Sequence, residues 1–419
     1  MKYAPLNLGR WMLWGASALL FAVAPHVFKG GFALTLLTQM GTLIIFALSY
    51  NMLLGQGGML SFGHAVYSGL GAYGVVHVLN FMGKGSLVFP VSLLPLVGGL
   101  AGLAFGLLFG YVTTRRAGTT FALISLGIGE MVFACVLMFP GLFGGEAGIS
   151  TNRVVGQAFL GLSFGPALQV YYLVAAWCFL SMAAMFALTQ TPLGRMANAV
   201  RDNPERAEFV GYNTQRVRFL QLVLSSFFAG VSGALSCINF EIVSAENVSA
   251  IRSGGVLLAT YIGGVPFFFG PIIGAIVFVF FVVALSGFTR AWLLYLGLFF
   301  VLMVMYAPGG IAALILMQFP VIRAGRWREL LGPYALAALA ALVALAGLIG
   351  LVEMVYRLSE PGASTVLTVL GVAFDARGAA SWIMFAAVLA AGLAALRLAA
   401  RRVGERWSAL QLELQSRTA

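Results

Sequence analysis

The sequence predicts an all-α polytopic membrane protein, and three observations carry that prediction. Hydrophobic residues fill 61% of the 419 positions and charged residues only 9%. Apolar runs of roughly 17 residues or more recur along the whole length, the reach a helix needs to cross a hydrocarbon core of about 30 Å. The runs are near 20 residues rather than near 10 with alternation, so an outer-membrane barrel is excluded and helices must satisfy the backbone groups in lipid.

In chain order the runs lie near 11–28, 32–54, 61–80, 87–112, 118–141, 168–190, 217–239, 252–265, 270–288, 290–307, 334–352 and 379–400. The first follows Lys2 and Arg10; Ala22-Val23-Ala24 has the form of a cleavage site, but Pro25 follows it directly, so the run counts as a span. The run 61–80 is glycine-rich and carries His64 and His77, and 252–265 is cut by Gly263, Gly264 and Pro266. Both read as broken or re-entrant helices, giving about ten to twelve membrane segments. With twelve, Arg115 and Arg116, the 191–218 loop, the cluster Arg323, Arg326, Arg328 and the tail Arg397, Arg401, Arg402, Arg406 share one side. The positive-inside tendency makes that side the cytoplasm and places both termini there. The opposite side holds a mixed set, including Arg153, Glu241 and Glu360, without basic excess.

Two stretches interrupt the apolar pattern in a similar way: Gly57-Gly58-Met-Leu-Ser-Phe-Gly63-His64 and Gly263-Gly264-Val-Pro-Phe-Phe-Phe-Gly270-Pro271. Paired interruptions in the two halves of a transporter are the trace of an internal inverted repeat whose broken helices line a pathway. The first adds Asn51, Gln56, Ser61 and His64 to a greasy region. Such backbone is tolerated in a membrane where it lines a wet cavity or packs tightly against protein, so His64 reads either as a solute contact or as a hydrogen-bonded packing residue. Glu130 stands mid-run, where a carboxylate costs about 2.5–3.5 kcal/mol, and so should face the interior, be paired or be protonated. It reads as a pathway residue or as a structural hydrogen bond between helices. Gly98, Gly102, Gly106 and Gly110 share one helix face and read as a packing stripe.

Chemistry of other kinds finds little support. Cys135, Cys178 and Cys237 sit inside apolar runs without CxxC spacing and read as small packing residues. There is no nucleophile elbow and no HExxH, and the three histidines suggest no triad or metal site; neither cofactor nor metal is expected. Gly83-Lys84 is followed by Gly85, so the nucleotide-binding pattern GxxxxGK[ST] is missing and any ATP is bound by another chain. The net charge of +11 belongs to the loops, without the dense basic cluster and interleaved aromatics of a nucleic-acid binder.

The segment 191–218 is the exception to the apolar composition, with Arg195, Arg201, Arg206, Arg216 and Arg218 beside Asp202, Glu205 and Glu208. It must lie in water. Asp202-Asn203-Pro204 offers an N-cap with proline at the first helical position, predicting a short helix from about Pro204 to Val210 that ends at Gly211. A folded polar segment on a membrane protein is a place to touch something soluble.

Four stretches, in this order and spacing, resemble the LivM-type permeases of branched-chain amino acid ATP-binding cassette importers. They are Asn51 to Tyr73; Arg116-Ala-Gly-Thr-Thr-Phe-Ala-Leu-Ile-Ser-Leu with Glu130; Thr191-Pro-Leu-Gly-Arg to Gly211-Tyr-Asn; and Phe228-Ala-Gly-Val-Ser-Gly-Ala-Leu. The resemblance covers roughly residues 32–315. It implies that 1–320 is a permease domain, with Asn51, Ser61, His64 and Glu130 along the substrate pathway. It also implies that 191–218 is a cytoplasmic coupling loop that docks on an ATPase, with Ala207 and Gly211 as small docking positions flanked by Arg195, Arg201, Glu205 and Glu208. Two departures are Arg206, where a second small residue is common, and Gly263-Gly264-Val265-Pro266-Phe267, which replaces the usual Gly-Gly-x-Gly-Ser/Thr. The first bears on the ATPase fit and the second on the substrate class.

The implied function is the permease subunit of an ATP-driven importer for branched-chain or related small amino acids or amides, in a bacterial inner membrane. Its implied partners are a second, LivH-like permease, two ATPase subunits and an extracytoplasmic solute-binding protein, in a lipid bilayer and without nucleic acid. Residues 321–419 run past the family's usual end with two more apolar runs and a basic tail that could pack on the bundle, recruit a partner or hold the inner leaflet. Two other readings stand beside this one: an ion-coupled secondary transporter using Glu130 or His64 as its proton site, and a non-transporting scaffold or sensor on a permease fold.

Overall fold

A computed structural model describes residues 8–155, 162–359, 366–369 and 372–416. Lys2, Glu360 and the two chain ends lie outside the described residues. The chain folds as α1 (Leu8–Val27), α2 (Gly31–Asn51), α3 (Ala65–Gly83), α4 (Leu94–Thr113), α5 (Gly118–Met138), a short α6 (Pro140–Phe143) and strand β1 (Ile149–Ser150). Then come α7 (Ala167–Gln190), α8 (Pro192–Asp202), α9 (Pro204–Phe209), α10 (Thr214–Phe240), β2 (Ile242–Val243), α11 (Ala250–Gly263) and α12 (Gly270–Val279). The last elements are α13 (Trp292–Tyr306), α14 (Gly310–Arg323), α15 (Arg328–Ser359), the strands β3 (Val366–Val369) and β4 (Val372–Asp375), and α16 (Ala379–Ser416).

Among the described residues eight helices are long and apolar enough to cross a membrane, or nine if α13 and α14, bent by 46° at their junction, form one span. The protein is therefore an all-α, multi-pass membrane protein. The tally is below the ten to twelve segments read from hydropathy, because α1, α3 and α11 are not among these helices. Of the runs not counted, α11, with 14 residues, rises only about 21 Å against a core of about 30 Å.

The chain divides into two compact units, Met1–Ala284 with Phe299–Ala312, and Leu285–Leu298 with Ala313–Ala419. In the first unit α10 is the central helix, buried along most of its length, and packs on α2, α3 and α4. Lipid gives apolar side chains little reason to leave it, so close approach and interhelical hydrogen bonds must hold such a bundle. Both are present. The Gly98, Gly102, Gly106, Gly110 face of α4 lies on α10: a methyl group at Gly98 would come within 2.7 Å of the Gly230 carbonyl, and one at Gly106 within 2.7 Å of Ser226 Cβ. Side chains of α10 bond α2, with the Ser232 hydroxyl donating to the Thr42 carbonyl at 2.8 Å and the Ser225 hydroxyl to the Ser49 carbonyl at 2.7 Å.

On one face of this unit β1 pairs antiparallel with β2. Arg153 ties the same region together: its guanidinium donates to the carbonyls of Phe164 at 2.8 Å, Gly165 at 3.1 Å and Asn239 at 3.2 Å, and lies 3.9 Å from the Glu241 carboxylate. In the second unit α15 and α16 form an antiparallel hairpin, with Gly347 against Leu389 and Gly392 against Ala344. β3 and β4 form a second antiparallel pair.

Candidate substrate pathway and coupling segment

The first interruption begins where α2 loses its α-helical register in a π turn, Met52–Gln56. Gly58, at φ +65°, then turns the chain, while the N–H groups of Gly58 and Met59 bond back to the carbonyls of Leu54 and Leu53 at 3.0 Å each. A π turn leaves helical carbonyls without their usual partners, and side chains from elsewhere supply them. The Gln221 amide on α10 donates to the Met52 carbonyl at 2.8 Å and to Gln56 Oε1 at 3.2 Å. The Arg201 guanidinium, from α8, donates to the Gly55 carbonyl.

The second interruption lies directly against the first. A methyl group on Gly55 would reach within 2.7 Å of the Val265 carbonyl. α11 and α12 close on each other through Gly263, Gly270 and Gly274, at each of which a side chain would overlap the facing backbone.

The polar segment is folded throughout, as successive capped helices. Thr191 caps α8 by accepting from the Gly194 N–H at 3.3 Å, Asn203 caps α9 by accepting from the Arg206 N–H at 2.9 Å, and Asn213 caps α10 by accepting from the Arg216 N–H at 2.9 Å. Each side-chain oxygen satisfies one of the donors a helix start leaves open. The C-terminus of α9 is a Schellman turn: Gly211 takes φ +93°, its N–H bonds the Glu208 carbonyl at 2.8 Å, and the Tyr212 N–H bonds the Ala207 carbonyl at 3.1 Å. The expected helix thus starts at Pro204 as read, and its regular part ends two residues before Gly211.

These helices share a small core of Ala197, Val200, Ala207 and Val217, with Leu193 and Met196 against it. Their outer surface carries Phe209, 91% exposed, and Val210, 71% exposed. Beside them a polar depression of about 710 Å³ is lined by Arg115, Glu205, Glu208, Tyr212, Gln215 and Arg218.

Two interrupted helices packed together inside a bundle, with a folded polar segment bonded to one of them, is the arrangement of a transport subunit. A family profile described as branched-chain amino acid transport system, permease component, matches residues 32–308, more than half of the chain. The chain belongs to this family.

Relatives agree with the profile. The permease is 29% identical over 289 residues to the high-affinity branched-chain amino acid transport system permease protein LivM of Escherichia coli K12, covering 64% of this chain and 67% of that one. It is 28% identical over the same length to LivM of Salmonella typhimurium. It is also 26% identical over 217 residues to the fructose import permease protein FrcC of Rhizobium meliloti, covering 49% of this chain and 59% of that protein. No solved structure matches the permease.

Within the permease, three of the four residues read as pathway residues gather at the first interruption. Asn51 and Ser61 are 3% and 2% exposed, and the Tyr50 hydroxyl donates to the Ser61 carbonyl at 3.0 Å. His64 is fully enclosed, stacked on Phe46 with ring centroids 5.5 Å apart and edged by Tyr50 and Tyr67. The Ser49 hydroxyl donates to the Phe46 carbonyl at 2.7 Å, so at its 3.0 Å contact with His64 Nε2 it accepts. That assigns the proton of a neutral imidazole to Nε2 and leaves Nδ1 as a buried acceptor. Neither His64 Nδ1 nor Asn51 Oδ1 has a partner among the described residues.

Glu130 is not brought into this cluster. Its neighbour Gly129 is buried, with the site of a Cβ only 3.4 Å from Gly63 Cα, while Glu130, about 100° further round α5, is exposed. The permease's own interior therefore does not supply the partner expected for a mid-membrane carboxylate. Of the segment's residues, Arg195, Arg201, Glu205, Arg206, Glu208 and Gly211 are exposed, and Ala207 is buried in the small core. Glu208 accepts from the Thr214 hydroxyl at 2.7 Å.

Sequence reasoning missed α8 as a helix, the exposed Phe209, and the role of α10. Gln221, Ser225, Ser232 and Ser236 recur down α10 at helical spacing, and that polar stripe in an apolar run was the available signal for a helix bonded on that face.

Proposed function

We propose that this chain is the permease subunit of an ATP-driven importer in a bacterial inner membrane, with the polar segment as its coupling element. One observation carries the reading: the segment that presents Phe209 and Val210 to solvent also holds, through Arg201, the carbonyl of Gly55 at the interrupted helix. A push on the exposed surface is delivered to the break by one side chain. Arg195, Glu205 and Glu208 frame the contact with the ATPase, while Ala207 and Gly211 set the shape of α9.

The positive-inside tendency supports a cytoplasmic position for this segment and for both termini. ATP hydrolysis belongs to two separate ATPase subunits, and a second, LivH-like permease and an extracytoplasmic solute-binding protein complete the assembly. The two interruptions support an internal inverted repeat, with Asn51, Ser61 and the backbone around His64 along the moving part of the path. The outward-facing Glu130 belongs at the boundary with the second permease, where it meets the solute or a polar partner, since lipid is an unfavourable neighbour for it. The relatives named LivM support branched-chain amino acids, or similar small amino acids and amides, as the solute.

The test is uptake of labelled leucine into proteoliposomes holding the complete assembly. Uptake that requires ATP on the ATPase side and survives a protonophore is the expected result. Uptake by this chain alone, abolished by the protonophore and indifferent to ATP, would overturn it in favour of an ion-coupled transporter; solute uptake of either kind excludes a non-transporting scaffold.

A further inference from the structure

The second unit carries a band of arginines that the transport reading does not use. α16 has 38 residues, about 57 Å of helix, nearly twice the hydrocarbon core of about 30 Å. Counted from Ala379, Arg397 comes after about 27 Å and Arg406 after about 40 Å, so the arginines between them fall in the headgroup layer when the N-terminal end of α16 sits at the opposite boundary.

This end of α16 is held in place. Leu410 is buried with Val321 and Leu330, and Trp407 and Tyr334 pack against them. Tyr334 also accepts from the Gln318 amide at 2.9 Å. On the flank of this small core, Arg402 and Arg406, one helical turn apart, line a depression of about 830 Å³ with Glu405, Glu329, Pro333 and Leu336. One of the two carboxylates is already taken: Arg326 grips Glu329 through two hydrogen bonds of 2.6 and 3.0 Å and also reaches Glu413. Arg323, Arg328, Arg397, Arg401, Arg402 and Arg406 are exposed and make no ion pair or hydrogen bond among the described residues. The pole therefore presents guanidinium groups with free donors next to an apolar wall, their charge offset only in part by Glu405 and by Glu329, which Arg406 also attracts.

We propose that this pole binds anionic phospholipid of the adjoining leaflet, the phosphate seated between Arg402 and Arg406 and the glycerol and first acyl carbons against Pro333 and Leu336. Guanidinium groups suit phosphate because their donors form a fork, and arginines clustered at the end of a membrane helix gain from the negative surface potential. The inference is independent of the transported solute and of the ATPase contact.

The full-length chain, purified in detergent, is mixed with phosphatidylglycerol or with phosphatidylcholine of the same acyl chains. Retained lipid is counted by native mass spectrometry, and the thermal unfolding midpoint is followed in parallel. Phosphatidylglycerol is expected to be retained in excess and to raise the midpoint, the excess shrinking as salt is added. Arg402→Gln with Arg406→Gln should weaken phosphatidylglycerol retention about tenfold or more while leaving phosphatidylcholine retention unchanged; lysines at both positions should restore part of it. Equal retention of the two lipids by the parent protein, at any salt concentration, overturns the proposal without recourse to a variant. So does displacement of phosphatidylglycerol by equimolar glycerol 3-phosphate, which would mark a soluble-phosphate site, or capture of an acidic peptide in preference to the lipid.

Discussion

The Arg201 guanidinium donates to the carbonyl of Gly55, joining α8 of the polar segment to the π turn that ends α2. The same side chain fills the space beside Gly58, where a methyl group would lie 2.7 Å from Arg201 Cγ. Arg201→Ala is expected to leave the ATPase bound but to lower uptake per ATP hydrolysed by about tenfold. A charge-assisted hydrogen bond contributes about 1.5–3 kcal/mol, and the 37% exposure of this side chain places it at the low end. The measurement is leucine uptake and phosphate release in the same proteoliposomes; an unchanged ratio removes Arg201 from the coupling path.

Phe209 and Val210 are exposed apolar residues on a segment that is otherwise charged. Phe209→Ser with Val210→Ser should change the stability of the isolated permease by no more than about 0.5 kcal/mol, since neither contributes to the small core. Affinity for the ATPase should nevertheless fall at least about tenfold, as expected for the loss of a central apolar anchor. Ala207→Glu is the contrast, because it places a carboxylate among Ala197, Val200 and Val217. It should disrupt the fold of the segment itself, detected as faster proteolysis at 191–218. Co-purification of the ATPase at parental levels with the double serine variant would dismiss the docking surface.

Ser49 accepts from His64 Nε2 inside the bundle. Removing it leaves a buried donor unpaired, so Ser49→Ala should lower stability by about 1–3 kcal/mol. With His64 acting as a packing residue, the KM for uptake should stay within about twofold. A large rise in KM at unchanged stability would instead put His64 in contact with the solute.

Glu130 is exposed at mid-span on α5. Glu130→Gln should therefore leave the unfolding midpoint of the lone permease nearly unaltered or slightly raised, while reducing uptake by the assembly about tenfold. Uptake kinetics equal to the parent's in a stably assembled Glu130→Gln importer would show that the carboxylate faces neither solute nor an essential partner group.

Gly102 lies on the α10 backbone, where a Cβ would overlap the Ser226 carbonyl and approach Gly230 N at 3.1 Å. Gly102→Val must separate α4 from α10 or strain both, at a cost of about 1–3 kcal/mol or more. Loss of the monodisperse peak in size-exclusion chromatography is the readout. Gly127→Val, at a position with open space, is the matched control and should be tolerated.

The stripe at Gly98 to Gly110, the two interruptions and the start of the short helix at Pro204 were all legible in the sequence, because each is a local signal: small residues at helical spacing, paired glycines, a capping side chain before proline. The buried state of Ala207 and the outward face of Glu130 were not. Both depend on which side of a helix meets its neighbours: every face of the apolar α5 looks alike to a hydropathy pattern, and one alanine among the charges of α9 does not record the small core it enters. The span count differed because composition does not report where a helix stops, and α11 ends after 14 residues.

The sequence by itself determined the class of this protein, an α-helical multi-pass membrane protein, because the bilayer requires about 20 apolar residues per span and punishes charge inside it. It also placed the polar segment outside the lipid. Only the tertiary structure decided what that segment is attached to. The side chain of Arg201 reaches the carbonyl of Gly55, 146 residues away in sequence, and no periodicity records such a pair. A hydrogen bond needs atoms in register to within a fraction of an ångström, and that register exists only after α8, α2 and α10 have packed.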